Sequence, residues 1–143
     1  MSDRSIWEWF WARHSNPKSG WSRALTAPFL VAAIYFRKPK LLLATVGYLV
    51  VNPIAFPEPE RTDDWMTRGV LGEKRWVENG NPLFARSYPS VLNVVNVPTF
   101  CYVLYAAYRR KPVQAFVVLF LSMALKFWFV AEMVAYYDAR GDE

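Results

Sequence analysis

Lys126 follows a run of 14 uncharged, mostly apolar residues, 112–125. A cation inside a membrane-spanning helix is costly, and where one occurs it commonly binds an ion, a proton or a ligand. At about 1.5 Å of rise per helical residue, Lys126 lies about 21 Å from the turn that precedes its helix. A polar ligand site at this depth would draw on asparagines from two other apolar stretches. These asparagines are Asn52, Asn93 and Asn96.

The same four residues also have a structural interpretation, which the sequence leaves open. Lys126 can reach the membrane surface while its aliphatic stem packs on apolar neighbours. Asn52 can bond backbone groups that Pro53 disturbs. Glu132 is a poor partner for Lys126, because a separation of six residues places it about 120° further round the helix.

The only histidine, His14, belongs to a second group of polar candidates. Histidine titrates near neutral pH, so beside a carboxylate it can act as a general base. A single histidine without a second ligand at metal-binding spacing gives little support for a metal site, and we expect no metal and no cofactor. The arginines of this group would bind a lipid phosphate or stay solvated. The group comprises Arg13, His14 and Asn16 near the N-terminus and Asp64, Arg68 and Glu73 in the central polar segment.

Known catalytic motifs are absent from the sequence. It contains no glycine-rich phosphate loop, no His-Glu-x-x-His pair and no serine nucleophile motif. The single cysteine, Cys101, excludes an intrachain disulfide and a cysteine-built metal site. We therefore assign no catalytic residue and favour a protein that is not an enzyme.

A repeated phrase indicates the elements that position these residues. Tyr-Phe-Arg-Lys-Pro at 35–39 and Tyr-Arg-Arg-Lys-Pro at 108–112 each separate two long apolar stretches. A short cationic turn that ends in proline is typical of a helical hairpin at a membrane surface. The predicted fold is an all-α membrane protein with four transmembrane helices arranged as two helical hairpins. The predicted spans are 21–36, 41–56, 91–108 and 113–137.

Two amphipathic helices are predicted to lie in the membrane interface. The first covers 5–16, where Ser5 and Glu8 have the spacing of a capping box. The second covers about 63–78 within the polar loop 57–90, with Thr62 as its N-cap. One face of the second helix carries two glycines between two tryptophans, which would let another helix or a lipid approach closely. This predicted interaction face consists of Trp65, Gly69, Gly72 and Trp76.

The composition fits one integral membrane domain, 1–143. The chain is 54% hydrophobic. Its mean hydropathy is only +0.05, because uncharged apolar stretches alternate with segments in which the charged residues are concentrated. Residues 91–108 carry no charge, whereas 57–90 carry eleven charged residues. A soluble helical protein would distribute charge along its helices. The net charge of +5 comes from cations that flank apolar segments, which favours anionic lipid headgroups over nucleic acid as partners.

The positive charges also predict an orientation. Ten Lys and Arg residues lie on the side of the termini and the 57–90 loop, against six in the two turns. The positive-inside rule then places the termini and this loop in the cytoplasm, in a multi-pass protein of the cytoplasmic membrane.

Two segments resemble a known family. They are Trp-Ala-Arg-His-Ser-Asn-Pro-Lys-Ser-Gly-Trp-Ser-Arg at 11–23, and the segment from Asn-Pro-Ile-Ala-Phe-Pro at 52–57 to Asp-Trp-Met-Thr-Arg-Gly-Val-Leu-Gly-Glu at 64–73. Both are similar to an uncharacterised family of small integral membrane proteins from haloarchaea and bacteria, which carries a domain of unknown function. The resemblance covers most of the chain and is most specific at 11–23 and 52–76. It implies a prokaryotic membrane protein and supplies no activity, substrate or cofactor.

Three functions are consistent with these features. The first is an accessory or assembly subunit of a membrane complex, or a homo-oligomer, that acts through protein–protein or protein–lipid contacts. The second is a small transporter or channel that uses Lys126 and the asparagines. The third is a lipid-modifying enzyme in which His14 acts with Asp64 or Glu73. We favour the first, because the aromatic surface and the glycine-rich face suit contacts and no catalytic motif is present.

Overall fold

The computed structural model describes residues 4–141, which form six α-helices and no strand. The predicted all-α architecture is therefore confirmed for this part of the chain. Residues 1–3 and 142–143 of the predicted domain lie outside the described residues. The helices are α1 (Ile6–His14), α2 (Pro17–Tyr35), α3 (Pro39–Ala55), α4 (Trp65–Glu78), α5 (Val91–Tyr108) and α6 (Pro112–Arg140).

The repeated phrase forms the same helix-ending turn twice. Its third residue, Arg37 or Arg110, has a positive φ of 55° or 54°. The lysine that follows donates its backbone N–H to the carbonyl oxygen five residues earlier, at 2.9 Å for Ala33 and 2.8 Å for Ala106. These bonds are those of a Schellman motif. The proline of each phrase then starts the next helix at its first position, where a missing N–H is not needed.

These turns produce two antiparallel helix pairs, α2–α3 and α5–α6, which meet through α2 and α5. The guanidinium group of Arg37 joins the two turns, because it donates to the carbonyl oxygen of Tyr108 and lies 4.6 Å from the centre of that residue's ring. The short helix α1 packs against α3 and α4, and α4 lies along α6.

Two glycines let α4 approach α6 closely. A Cβ atom at Gly72 would overlap the carbonyl oxygen of Met133, and one at Gly69 would lie 2.6 Å from Cγ1 of Val130. Because the obstacle at Gly72 is main chain, no rotamer change can make room for a side chain there.

The two tryptophans of the predicted interaction face also contact α6. The ring centre of Trp65 is 6.2 Å from that of Phe127, and the ring centre of Trp76 is 5.0 Å from that of Tyr136. The face formed by Trp65, Gly69, Gly72 and Trp76 therefore packs within the chain.

The helix starts differ from the predictions where capping decides them. The second amphipathic helix begins at Trp65, two residues later than predicted, because Asp64 rather than Thr62 is its N-cap; Oδ1 of Asp64 accepts the N–H of Met66 at 2.8 Å. Helix α2 begins at Pro17 instead of residue 21, because Asn16 caps it through the N–H of Lys18. The predicted cap at Ser5 is confirmed.

Two of the described helices, α5 and α6, are long and apolar enough to cross a membrane. Only 28% of each apolar window is buried inside the protein, whereas the core helix of a soluble protein would be mostly buried. The sequence predicted four such helices. By length and composition, only these two of the described helices qualify. The apolar helix α3 has only 17 residues, and the first two turns of α2 include Lys18 and Arg23.

We predict that Gly72→Ala lowers the thermal unfolding midpoint, because the new methyl group separates α4 from α6. Overpacking of this kind costs about 1–3 kcal/mol. Circular dichroism of the purified protein in detergent would measure the midpoint.

Gly47→Ala is the matched control, because a Cβ atom there meets nothing within 4 Å. Alanine is favoured over glycine in a helix by about 1 kcal/mol, so this variant should melt above the wild type. The packing account is contradicted if Gly72→Ala melts at or above the wild-type temperature.

Candidate functional site

A cleft of about 240 Å³ lies between α2, α4, α5 and α6. Its walls are apolar except for four side chains: Arg23 on α2, Asn96 on α5, and Ser122 and Lys126 on α6. Arg23, Asn96 and Lys126 each lie 13 to 15 residues from the nearest cation of a turn, which is Arg37, Arg109 and Lys111, respectively. Because the turns of both hairpins lie at one end, this spacing brings the three side chains to the same height, about 20 Å from the turns.

Lys126 pairs with a carboxylate from the central polar segment. Its Nζ atom is 3.7 Å from Oε1 of Glu73 on α4. The Glu73 side chain is 13% exposed and that of Lys126 is 49% exposed, so the carboxylate is the more buried partner of the pair. The close approach of α4 to α6 makes this pair possible, since Glu73 directly follows Gly72.

Arg23 contacts the only histidine. Its Nη1 atom lies 3.2 Å from Nδ1 of His14. A guanidinium group can only donate hydrogen bonds, so Nδ1 accepts and the ring proton is on Nε2. Burial, together with the positive charges of Arg23 and Lys126, lowers the pKa of His14 from 6.5 to about 4. His14 is therefore neutral at physiological pH, and its accepting nitrogen is already occupied.

Among the described residues, Arg23 forms no ion pair of its own, although Glu73, the partner of Lys126, also attracts it at longer range. Within residues 4–141, no carboxylate oxygen lies within 4.0 Å of its guanidinium group, while Lys126 has Glu73. The cleft thus contains two cations, and one carboxylate and a neutral histidine lie beside them. Such a site can bind a negatively charged group.

The asparagines separate into three different environments. Oδ1 of Asn96 accepts from the Ser122 hydroxyl at 2.6 Å, and both residues line the cleft. Asn52 is fully buried between α2 and α3, where it accepts from Ser19 at 2.7 Å and donates to Ser22 at 3.1 Å. Nδ2 of Asn93 donates to the carbonyl oxygen of Leu83 at 2.9 Å. Equal depth therefore does not bring the three asparagines into one site.

The remaining candidates join helix ends. Nε of Arg13 donates to the carbonyl oxygen of Ile54 at 2.8 Å, and Nδ2 of Asn16 donates to that of Pro57 at 2.9 Å. Asp64 caps α4, as described above. Nη1 of Arg68 lies 2.5 Å from Oδ2 of Asp138. No group of three or more metal-ligating side chains occurs in the described part of the chain.

Sequence reasoning did not single out Arg23 as a candidate site residue. The available signal was its distance from the first turn, since counting back from Phe36 places Arg23 at the depth of Lys126. Glu73 was grouped with His14, and its pairing with Lys126 depends on how α4 packs.

We predict that His14 makes the stability of the protein depend on pH. Its folded-state pKa of about 4 is below the ordinary value of 6.5, so the unfolded chain binds the proton first as pH falls. The contribution is complete above about pH 6.5 and is lost between about pH 6.5 and pH 4, with an upper limit of about 3 kcal/mol. Thermal midpoints in detergent at pH 7.5 and pH 5 would measure it.

His14→Gln is the matched control, because glutamine does not titrate and its amide oxygen can still accept from Arg23. This variant should lose less stability between the two pH values than the wild type. Equal losses in the two proteins would contradict the assigned state of His14.

The comparisons with known proteins concern the chain as a whole. No curated protein and no solved structure matches it. A model of a family of unknown function (DUF6653) matches residues 7–142, in agreement with the resemblance of segments 11–23 and 52–76 to an uncharacterised family. The chain therefore belongs to DUF6653, a family of unknown function.

Proposed function

We propose that this protein is an integral membrane protein that acts through contacts with lipids and with neighbouring membrane proteins, as an accessory or assembly subunit. The observation that carries the proposal is a belt of exposed apolar side chains around α2, α3, α5 and α6. Six members of this apolar belt are between 66% and 75% exposed. They are Leu25, Leu43, Val50, Val113, Phe116 and Phe120.

The apolar belt coincides with segments that lack charge. No Asp, Glu, Lys or Arg occurs at 24–36, 41–57, 87–108 or 112–125, so all four helices contribute an uncharged section. Water-exposed helices carry charged residues on their outer faces. An uncharged and apolar outer surface on four neighbouring helices is therefore better explained by lipid than by water.

Aromatic and cationic side chains flank the apolar belt at both ends. The turn end carries the repeated Arg-Lys-Pro phrases with Phe36, Tyr105 and Tyr108 exposed. The opposite end carries exposed Trp21 and Trp128. Tryptophan, tyrosine and basic residues favour the two membrane interfaces, so these two groups would mark the boundaries of the bilayer.

We extend the proposal to α2 and α3 as the second pair of membrane helices. Their uncharged sections of 13 and 17 residues are short for a hydrocarbon core of about 30 Å, so the bilayer would thin beside them. The excess of Lys and Arg favours cytoplasmic termini and a cytoplasmic 57–90 loop in a multi-pass protein of the cytoplasmic membrane.

The two other candidate functions have less support from the site. A transporter that uses one asparagine layer would need Asn52 and Asn93 beside Lys126, whereas these residues bond to other elements. An enzyme that uses His14 as a base would need its free nitrogen, which instead accepts from Arg23.

Lysine substitutions in the apolar belt test the proposal. Phe120→Lys on α6 and Val50→Lys on α3 each replace a side chain that is 73% exposed and lies near the middle of an uncharged section. A lysine near the centre of a membrane helix costs about 2.5–3.5 kcal/mol on insertion. We therefore expect both variants to reduce the fraction that resists alkaline carbonate extraction from cell membranes.

Phe84→Lys is the matched control, because Phe84 is 62% exposed but lies in the loop between α4 and α5. It should integrate like the wild type. A wild-type protein that carbonate extracts completely would refute membrane integration, and normal integration of Val50→Lys alone would refute the membrane location of α3.

A further inference from the structure

We propose that the cleft between α2, α4, α5 and α6 binds the oxyanionic headgroup of a membrane amphiphile, with Arg23 and Lys126 as the binding cations. The headgroup would be a phosphate diester or a carboxylate, each with one negative charge. This inference rests on the proposed membrane function and assigns a ligand class and a binding site to it.

The charges of the cleft require an anion for balance. Glu73 offsets one of the two cations, and His14 is neutral because its Nδ1 atom accepts from Arg23. Because Glu73 is shared between Lys126 and Arg23, one positive charge remains uncompensated in a partly buried and mostly apolar cleft. An unpaired charge in such surroundings is costly, and a bound anion reduces that cost.

Arg23 and Asn96 supply hydrogen-bond donors suited to an oxyanion. A guanidinium group has five N–H donors in a planar fork that matches carboxylate and phosphate oxygens, and His14 accepts from one of its nitrogens. On the opposite wall, Oδ1 of Asn96 accepts from Ser122. This arrangement leaves the amide N–H groups of Asn96 as donors toward a ligand.

The apolar walls favour an amphiphile over a free ion. Ala24 and Ala27 on α2 and Phe100 on α5 extend the cleft away from the cations. Small alanine side chains leave room there for the first carbons of a ligand. The cleft volume of about 240 Å³ is below the range of about 300–1,000 Å³ for pockets that enclose a drug-sized molecule. The cleft would therefore hold a headgroup, and the acyl chains would lie on the apolar belt.

Lys126 would exchange partners when the headgroup binds. Its side chain is half exposed, and its Nζ atom is 3.7 Å from Oε1 of Glu73, a distance longer than a charge-assisted hydrogen bond of about 2.7–2.9 Å. Glu73 and the headgroup therefore compete for the same cation. This competition gives the proposal a signature that a purely structural ion pair lacks, because removal of Glu73 should strengthen binding.

The experiment uses the full chain purified in an uncharged detergent, with ligand binding measured by native mass spectrometry. The probes are phosphatidylglycerol, phosphatidylcholine, oleate and inorganic phosphate. We expect phosphatidylglycerol or oleate to bind more tightly than zwitterionic phosphatidylcholine. Arg23→Gln and Lys126→Gln should each weaken that binding roughly tenfold, since one charge-assisted hydrogen bond is lost.

Two further variants are expected not to weaken binding, so they distinguish loss of the site from loss of the fold. Glu73→Gln should tighten binding several-fold, and Lys126→Arg should keep wild-type affinity because it keeps the charge. Arg109→Gln, in the turn at the other end of the bundle, is the control and should bind like the wild type. All variants are compared at equal helix content and elution volume.

The outcomes separate the sources of the oxyanion and the two proposals. Selectivity for phosphatidylglycerol assigns a lipid phosphate, and selectivity for oleate assigns a carboxylate. If inorganic phosphate bound as tightly as phosphatidylglycerol or oleate, the proposal that the ligand is an amphiphile would be overturned. If Glu73→Gln bound more weakly than the wild type, the proposed exchange of partners by Lys126 would be overturned. If the wild type and the double variant Arg23→Gln/Lys126→Gln bound the amphiphile equally well, the proposed site would be overturned. Resistance to carbonate extraction would still support membrane integration.

Discussion

The close approach of α4 to α6 at Gly69 and Gly72 is the constraint on which the rest of the arrangement depends. Gly72 of α4 lies against the main chain of Met133. Glu73, the residue after Gly72, therefore reaches Lys126. The same approach brings Met66 to the wall of the cleft. Helix α4, which belongs to the polar segment, thereby covers one end of the apolar helices. Within residues 4–141, it supplies the only carboxylate that pairs with Lys126.

Local patterns in the sequence were sufficient for the helices and their turns. The repeated Arg-Lys-Pro phrase predicted two hairpins, and both copies form the same turn because the order of cation and proline sets how one helix ends and the next begins. The N-cap of α4 was harder to predict, because Thr62 and Asp64 are both residue types that suit this position. In the structure the cap is Asp64. Tertiary partners were not predictable, because the separation of Glu73 from Lys126 along the chain carries no information about how α4 docks.

The polar residues of the bundle serve two physical purposes. Asn52 and Asn93 form hydrogen bonds within the protein, which satisfy groups that would otherwise be costly to bury. Arg23 and Lys126 are different, because together they exceed the one carboxylate beside them. Depth along the helix was a common signal for both sets, and the direction of each side chain separates them. A candidate binding site therefore emerges from a subset of the predicted polar layer, with Arg23 added to it.

The proposed function requires that the apolar belt face lipid. Cys101 is the only cysteine, is exposed on α5, and lies about 12 Å from the nearer turn, so in the proposed orientation a nitroxide label there would sample the interior of the bilayer. The decisive measurement is the collision rate of that label with oxygen and with a water-soluble nickel chelate in proteoliposomes. The account predicts high accessibility to oxygen and low accessibility to nickel. High accessibility to nickel would contradict it.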